Sequence, residues 1–130
     1  MALLNRAGPA RLAGLFMSIL LATRATDSSG ETAPAAEYQL KAVFLYNFAQ
    51  FVDWPAQAFS DAQAPLVIGI LGDDPFGSYL EETVRGEKVN EHPLTVQRFR
   101  RASDAKNAHV LFISQSETDR LDQTLATLRG

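Results

Sequence analysis

The 130-residue chain contains no cysteine and only two histidines, His92 and His109. The absence of cysteine excludes a disulfide-stapled scaffold, a thiolate zinc site and thiol catalysis. The two histidines lie far apart in sequence, and neither is accompanied by acids and a nucleophile in a recognisable catalytic order. We therefore predict no metal site, no cofactor and no enzymatic activity.

The sequence also lacks an excess of positive charge, since 12 Lys and Arg stand against 15 Asp and Glu, a formal net charge of -3. No broad positive field attracts phosphate backbones, which argues against nucleic acid as a partner. One local cluster, Arg98, Arg100 and Arg101, is explained as the solvated end of a strand. The length and the hydrophobic content of 46% are those of one globular domain with a packed core.

No apolar run is long enough to cross a bilayer, and the longest one lies near the N-terminus. Residues 1–25 contain Arg6 and Arg11, followed by a short apolar segment over 12–22. A basic start, a short apolar run and small residues after it are typical of a cleaved secretory signal peptide, although Arg24 departs from that pattern. The alternative is an uncleaved anchor or a buried helix. The signal peptide predicts export to the periplasm of a bacterium.

Residues 26–36 are small and polar and predict a flexible leader before a domain over 37–130. The domain opens with a stretch free of Gly and Pro, Glu37–Phe51, which predicts a helix. Trp54 and Pro55 end it, because the residue before proline disfavours helical geometry. This helix is apolar nearly all round, so it must be covered on two sides. The first side consists of Leu40, Val43, Phe44, Phe48 and Phe51, and the second of Tyr38, Ala42, Leu45, Ala49 and Val52.

Two continuous apolar runs, 66–72 and 109–113, predict central strands covered on both faces. A third run, 94–100, carries polar and charged residues and predicts an edge strand. Helical patterning at 75–85 and 117–129 connects and follows them. The implied strand order is second, first, third. With right-handed crossovers, this predicts an α/β fold: a Rossmann- or flavodoxin-like layer sandwich with a mostly parallel sheet.

The predicted sheet is incomplete. The strand at 109–113 has the composition of a central strand, yet the sequence offers it a neighbour on one side only. We expect either that the 130 residues are a truncated version of a longer protein or that a partner supplies the missing strand.

Ligands of open α/β sheets bind at the carboxyl ends of strands where the strand order reverses. In this chain that position brings together the loop carrying Asp73 and Asp74 and the loop that starts at Ser114. A carboxylate pair with nearby hydroxyls suits a cation, an amine or a ribose, so these three residues are candidate ligand contacts. The structural alternative, which we favour, is that Asp74 before Pro75 is a helix N-cap.

A family resemblance is carried by EYQLKAVFLYNFAQFVDWP at 37–55 and LVIGILGDDPFGSYLEETVRGEKVN at 66–90. These runs resemble the YfiR-like family of periplasmic proteins, whose most specific marks are the helix ending in Trp-Pro and the strand ending in GDDPFG. The resemblance covers residues 37–130 and corresponds to only the N-terminal part of the family's usual domain.

The resemblance implies a regulator that works without catalysis. Its relatives bind the periplasmic sensor domain of an inner-membrane diguanylate cyclase and hold it inactive, and its release raises cyclic di-GMP and biofilm formation. Aromatic anchors dominate such interfaces, so Phe51, Trp54 and Phe59 are candidate partner contacts. For Trp54, packing against the core of this domain is an equal alternative. Two other functions stay open: a small-ligand carrier or sensor that uses Asp73 and Asp74, and an envelope accessory component. A homodimer also stays open.

Overall fold

The computed structural model describes residues 32–130. The predicted signal peptide, 1–25, and the leader as far as residue 31 lie outside the described residues. The described part is an α/β domain whose strands are β1 (Leu66–Leu71), β2 (Lys88–Val89), β3 (His92–Phe99) and β4 (Val110–Ile113), and whose helices are α1 (Thr32–Phe51), α2 (Tyr79–Val84) and α3 (Leu121–Arg129). Three short 3₁₀ segments, Ala56–Ala58, Ala102–Asn107 and Gln115–Arg120, complete it.

Helix α1 begins at Thr32, earlier than the predicted Glu37, and so includes the end of the predicted leader. The added residues are mainly alanines, the best helix formers, and Pro34 stands in the first turn, where a missing N–H costs nothing. Ala42, Leu45 and Ala49 on one side of α1 are buried in the core. None of the helices within residues 32–130 combines the length and the hydropathy that a bilayer crossing requires.

The sheet has the order β2-β3-β1-β4. Strands β3, β1 and β4 are parallel, which confirms the predicted order and the mostly parallel sheet. Strand β2 was not predicted. It pairs antiparallel with the start of β3 through a two-residue turn, Asn90 and Glu91, both with positive φ, as type I′ hairpin turns require. The predicted edge strand is therefore covered at its N-terminal end and begins at His92 rather than Leu94.

Strand β1 is the centre of the core, and all six of its residues are buried. Its side chains alternate between the two faces of the sheet. Leu66, Ile68 and Ile70 join the cluster that contains the buried side of α1 and the α2 residues Leu80 and Val84. On the opposite face, Gly69 lies directly beneath three side chains: Phe99 of β3, Ala108 just before β4 and Leu111 of β4.

Strand β4 pairs with β1 and, within residues 32–130, with no other strand. Its four residues are half-buried, whereas the apolar run predicted cover on both faces. The two predicted helices are also shorter than expected. A turn precedes α2, so this helix starts at Tyr79 and not at residue 75. The 3₁₀ segment Gln115–Arg120 replaces the first turns of the helix predicted at 117–129, so α3 starts at Leu121.

We expect Gly69→Ala to lower the free energy of unfolding by about 1–3 kcal/mol, because adding atoms to a packed interior forces its neighbours to move. A Cβ at this position would lie 2.8 Å from Phe99 Cε2 and 2.9 Å from Ala108 Cβ. Urea denaturation followed by circular dichroism measures the change. Gly130→Ala is the matched control, since its nearest neighbour would be at an ordinary 3.7 Å. Equal stability of the two variants would contradict the close approach at Gly69.

Candidate functional site

The structure brings together the two loops predicted to hold a ligand. A shallow depression of about 400 Å³ lies at the carboxyl ends of β1 and β4. The backbone N–H of Asp73 donates a hydrogen bond to Ser116 Oγ at 3.0 Å and so ties the loops to each other. The residues that line the depression are Tyr38, Asp73, Asp74, Pro75, Ser114, Gln115 and Ser116.

Asp74 has a structural role in this loop. Its Oδ1 accepts the backbone N–H of Phe76 at 2.8 Å, and its Oδ2 accepts Arg98 Nε at 2.7 Å. The bond to Phe76 closes a turn within the loop, whereas α2 starts later, with Ser78 as its N-cap. Asp74 is thus not the N-cap of α2 as the sequence suggested, but both its carboxylate oxygens are engaged.

Asp73 and Ser114, the other two predicted ligand contacts, add little to the binding capacity of this depression. Ser114 is buried, and Asp73 is the exposed carboxylate of the pair. Among residues 32–130, no three His, Asp or Glu side chains are grouped so that they could hold a metal ion. A single exposed carboxylate beside hydroxyl groups can hydrogen-bond an amine or a hydroxyl, but it is a weak cation site.

A second crevice lies on the other side of β1, between the ends of β1 and β3. It has a volume of about 460 Å³ and is lined by Gly72, Asp73, Asp74, Arg98, Phe99, Arg100, Glu117 and Arg120. Sequence reasoning assigned Arg98 and Arg100 to a solvated strand end and so missed the crevice. The available signal was their position: Arg98 and Arg100 occur where β3 ends, at the edge of the sheet where ligands of this architecture bind.

Glu117 and Arg120 form the wall of this crevice. Arg120 Nε and Nη2 donate to the two oxygens of Glu117 at 2.7 and 2.9 Å, a bidentate pair. Only 4% of Glu117 is exposed. The hydrogen bonds from Arg120 lower the pKa of the Glu117 carboxyl, because they stabilise its charged form.

Gly72 allows Glu117 to sit so close to the end of β1. Gly72 has a φ of +91°, which favours glycine, and a Cβ there would lie 2.5 Å from Ser116 Oγ and 2.8 Å from Glu117 Cγ. The glycine thus supplies both the turn and the space for the pair of Glu117 and Arg120.

The three predicted partner residues do not form one patch. Phe51 is 82% exposed at the end of α1. Trp54 is half-buried, and its Nε1 donates to the carbonyl oxygen of Ala49 at 2.7 Å. Phe59 is also half-buried and stacks on His92, with ring centroids 3.5 Å apart. Trp54 and Phe59 therefore pack against the domain itself, which for Trp54 is the alternative that the sequence left open.

His109 holds the segment after α1 against the sheet. Its Nδ1 accepts the backbone N–H of Val67 at 3.0 Å, so the ring proton is assigned to Nε2, which donates to the Ala58 carbonyl oxygen at 2.9 Å. Its ring also contacts Trp54 and Phe59, with centroids 5.6 and 4.8 Å away. His109 thus has a structural role, as does His92, whose Nδ1 lies 2.6 Å from the Ala64 carbonyl oxygen.

The outward side of α1 carries a row of exposed apolar side chains. Between Leu40 and Phe51 the row spans about 17 Å of the helix at 1.5 Å per residue, and nothing in the described part of the chain covers it. The sequence predicted that this side needs a cover. We call it the α1 apolar face, and its exposed members are Leu40, Val43, Phe44, Phe48 and Phe51.

Comparison with known proteins gives one match. A family model described as YfiR/HmsC-like matches residues 38–130, which confirms the resemblance carried by the α1 and β1 motifs. No curated protein and no solved structure matches the chain.

We expect Glu117→Gln to reduce the dependence of stability on pH in the acid range. The pKa of Glu117 in the folded chain is lowered from its ordinary 4.5, so its contribution is complete above that value and is lost as the pH falls below it. The melting temperature of the unaltered protein should therefore fall more between about pH 6 and about pH 3 than that of the variant.

The control is Asp119→Asn, an exposed acid without an ion pair among residues 32–130, which should keep the unaltered pH profile. If the melting temperatures of Glu117→Gln and the unaltered protein depend on pH in the same way, the stabilising role of the Glu117–Arg120 pair is contradicted.

Proposed function

Because the chain belongs to the YfiR/HmsC-like family, we propose that it is a non-catalytic periplasmic regulator of a membrane diguanylate cyclase. It binds the periplasmic domain of the cyclase and favours the inactive state. Cyclic di-GMP and biofilm formation then stay low until the regulator is released. The structural observation that supports this proposal is the α1 apolar face.

The α1 apolar face has the properties of a protein-binding surface. Three phenylalanines lie along one side of a regular helix, and Phe48, near the middle of the row, is 58% exposed. Contiguous exposed apolar surface is rare on monomeric proteins and marks interaction sites. Polar side chains border it at Gln39 and Gln50, as expected for an interface with an apolar centre and a polar rim.

Repression through such a surface requires only modest energies. A regulator shifts a two-state equilibrium by the difference in its affinity for the two states. A tenfold shift corresponds to about 1.4 kcal/mol, and a single well-buried aromatic anchor contributes about 2 kcal/mol or more. One phenylalanine that is buried against the inactive conformer alone is therefore sufficient for a substantial effect.

The strand order supports a finer assignment of the fold. Counting only the parallel strands, the order β3-β1-β4 is second, first, third, as at the start of a flavodoxin-like sheet. We include in the proposal that the domain is a layer sandwich of the Rossmann or flavodoxin type.

The proposal is tested in a host bacterium whose gene for this protein is deleted and then restored. We expect deletion to raise cellular cyclic di-GMP and restoration of the unaltered gene to lower it again. Restoration with Phe48→Ser should fail to lower it, because the substitution removes about 2 kcal/mol of binding, roughly a thirtyfold loss of affinity. Phe48 is exposed, so the variant should accumulate to the unaltered level, which immunoblotting checks.

The matched control is Tyr79→Ser, an exposed aromatic on α2 outside the α1 apolar face, which should restore repression. If deletion leaves cyclic di-GMP unchanged, the regulatory function is wrong. If deletion raises it but Phe48→Ser represses fully, the function stands and the assignment of the α1 apolar face is wrong.

A further inference from the structure

Arginine side chains are concentrated in one place on the domain. Two cavities of about 260 and 460 Å³ share Arg100, Glu117 and Arg120 in their walls. We call the combined space the arginine cleft; it lies at the carboxyl ends of β1 and β3, beside α3. Of the six arginines between residues 32 and 130, four line it: Arg98, Arg100, Arg101 and Arg120.

The charge of the smaller cavity contrasts with that of the chain. Its charged lining consists of Arg100, Arg101, Arg120 and one acid, Glu117, which gives a formal charge of +2. The whole chain has a formal charge of -3. A local excess of positive charge attracts anions.

Two of these arginines are not used by the fold. Arg98 is paired with Asp74 and Glu81, and Arg120 with Glu117. Within residues 32–130, Arg100 and Arg101 make no ion pair or side-chain hydrogen bond. Each guanidinium presents five N–H donors in a planar fork that matches the oxygens of a phosphate group.

One guanidinium of the cleft, that of Arg120, is preorganised. Glu117 is buried and holds Arg120 through two hydrogen bonds, which leaves Nη1 and the outward edge of that guanidinium available. Ser103, Gln123 and Thr127 add hydroxyl and amide groups to the wall of the smaller cavity. A phosphate group that enters it therefore meets a held guanidinium on Arg120 and the exposed guanidinium groups of Arg100 and Arg101.

The position fits the general location of ligand sites in open α/β sheets. The chain leaves β1 towards α2, which packs with α1, whereas it leaves β3 towards the 3₁₀ segment Ala102–Asn107, which packs with α3. The crevice at the carboxyl ends of β1 and β3 lies beside the position between β1 and β4 where the strand order reverses.

We propose that the arginine cleft binds a soluble phosphate dianion, either inorganic phosphate or the terminal phosphate of a small monoester, between Arg100, Arg101 and Arg120. The smaller cavity lies below the usual range for drug-sized ligands, about 300–1,000 Å³, so the recognised group is the phosphate and not a large body attached to it. Binding at this site is separate from the α1 apolar face.

The test is a calorimetric and thermal-shift titration of the purified protein with inorganic phosphate, against chloride at equal ionic strength. We expect saturable heat and a melting temperature that rises with phosphate and not with chloride. Arg101→Gln and Arg100→Gln should each weaken phosphate binding at least tenfold, because each removes a fork of donors. The phosphate affinity of Arg101→Lys should lie between those of the unaltered protein and Arg101→Gln, since lysine keeps the positive charge and lacks the planar fork of donors.

The matched control is Arg85→Gln, an exposed arginine outside the cleft, which should bind phosphate like the unaltered protein. Arg100 and Arg101 are exposed, so the variants should keep the unaltered melting temperature in chloride. Equal responses to phosphate and chloride, or unaltered phosphate binding by the Arg100→Gln and Arg101→Gln double variant, would overturn the proposal.

A third arm separates a soluble ligand from a lipid headgroup. Vesicles containing phosphatidate should not retain the protein more than vesicles of phosphatidylglycerol at equal surface charge. Selective retention on phosphatidate that is lost in Arg101→Gln would overturn the assignment to a soluble phosphate. None of these measurements contains a cyclase, so their failure leaves the proposed regulatory function standing.

Discussion

The complete burial of β1 is the constraint on which the rest of the structure depends. A strand buried on both faces can satisfy its backbone only by pairing on both sides, and β1 does so with β3 and β4. Its two faces then require separate covers. On one face, Leu66, Ile68 and Ile70 pack against α1 and α2. On the other face, Gly69 permits the close approach of the Phe99 and Leu111 side chains. The positions of both loop crevices follow, because each lies where β1 ends beside one of its partners.

Much of this arrangement could be predicted from the sequence, because burial leaves a pattern in residue types. The apolar runs at β1 and β4 and the polar and charged residues of β3 were sufficient for the strand order. The hairpin with β2 was missed because it depends on Glu91 adopting a positive φ, which its residue type does not favour. The start of α1 was missed because small residues such as Ala35 and Ala36 are compatible with both a leader and a helix.

The candidate sites were less predictable, because they depend on which side chains the fold uses for itself. Asp74 looked like a ligand group or an N-cap, and the fold engages it with Arg98 and with a turn. Trp54 and Phe59 looked like partner contacts, and the two histidines pack against them. Arg100 and Arg101 looked like solvated charges, and their relation to Glu117 appears only when the ends of β3 and β4 are brought together.

The loop after β1 connects the arginine cleft with the buried side of α1. Asp74 contacts Arg98 at the arginine cleft, and Phe76 packs edge-on against Tyr38 of α1, with centroids 5.6 Å apart. Residues 72–76 thus contact the arginine cleft through Asp74 and the core side of α1 through Phe76.

The parallel pairing of β1 also determines when the domain can form during synthesis. Leu66 pairs with Leu94, and Ile68 pairs with Val110, so the most apolar strand is made well before either partner. Non-local parallel contacts of this kind form slowly. A chain that emerges from its N-terminus cannot close the sheet until Ile113 has emerged, and until then β1 remains open to other binding partners such as chaperones.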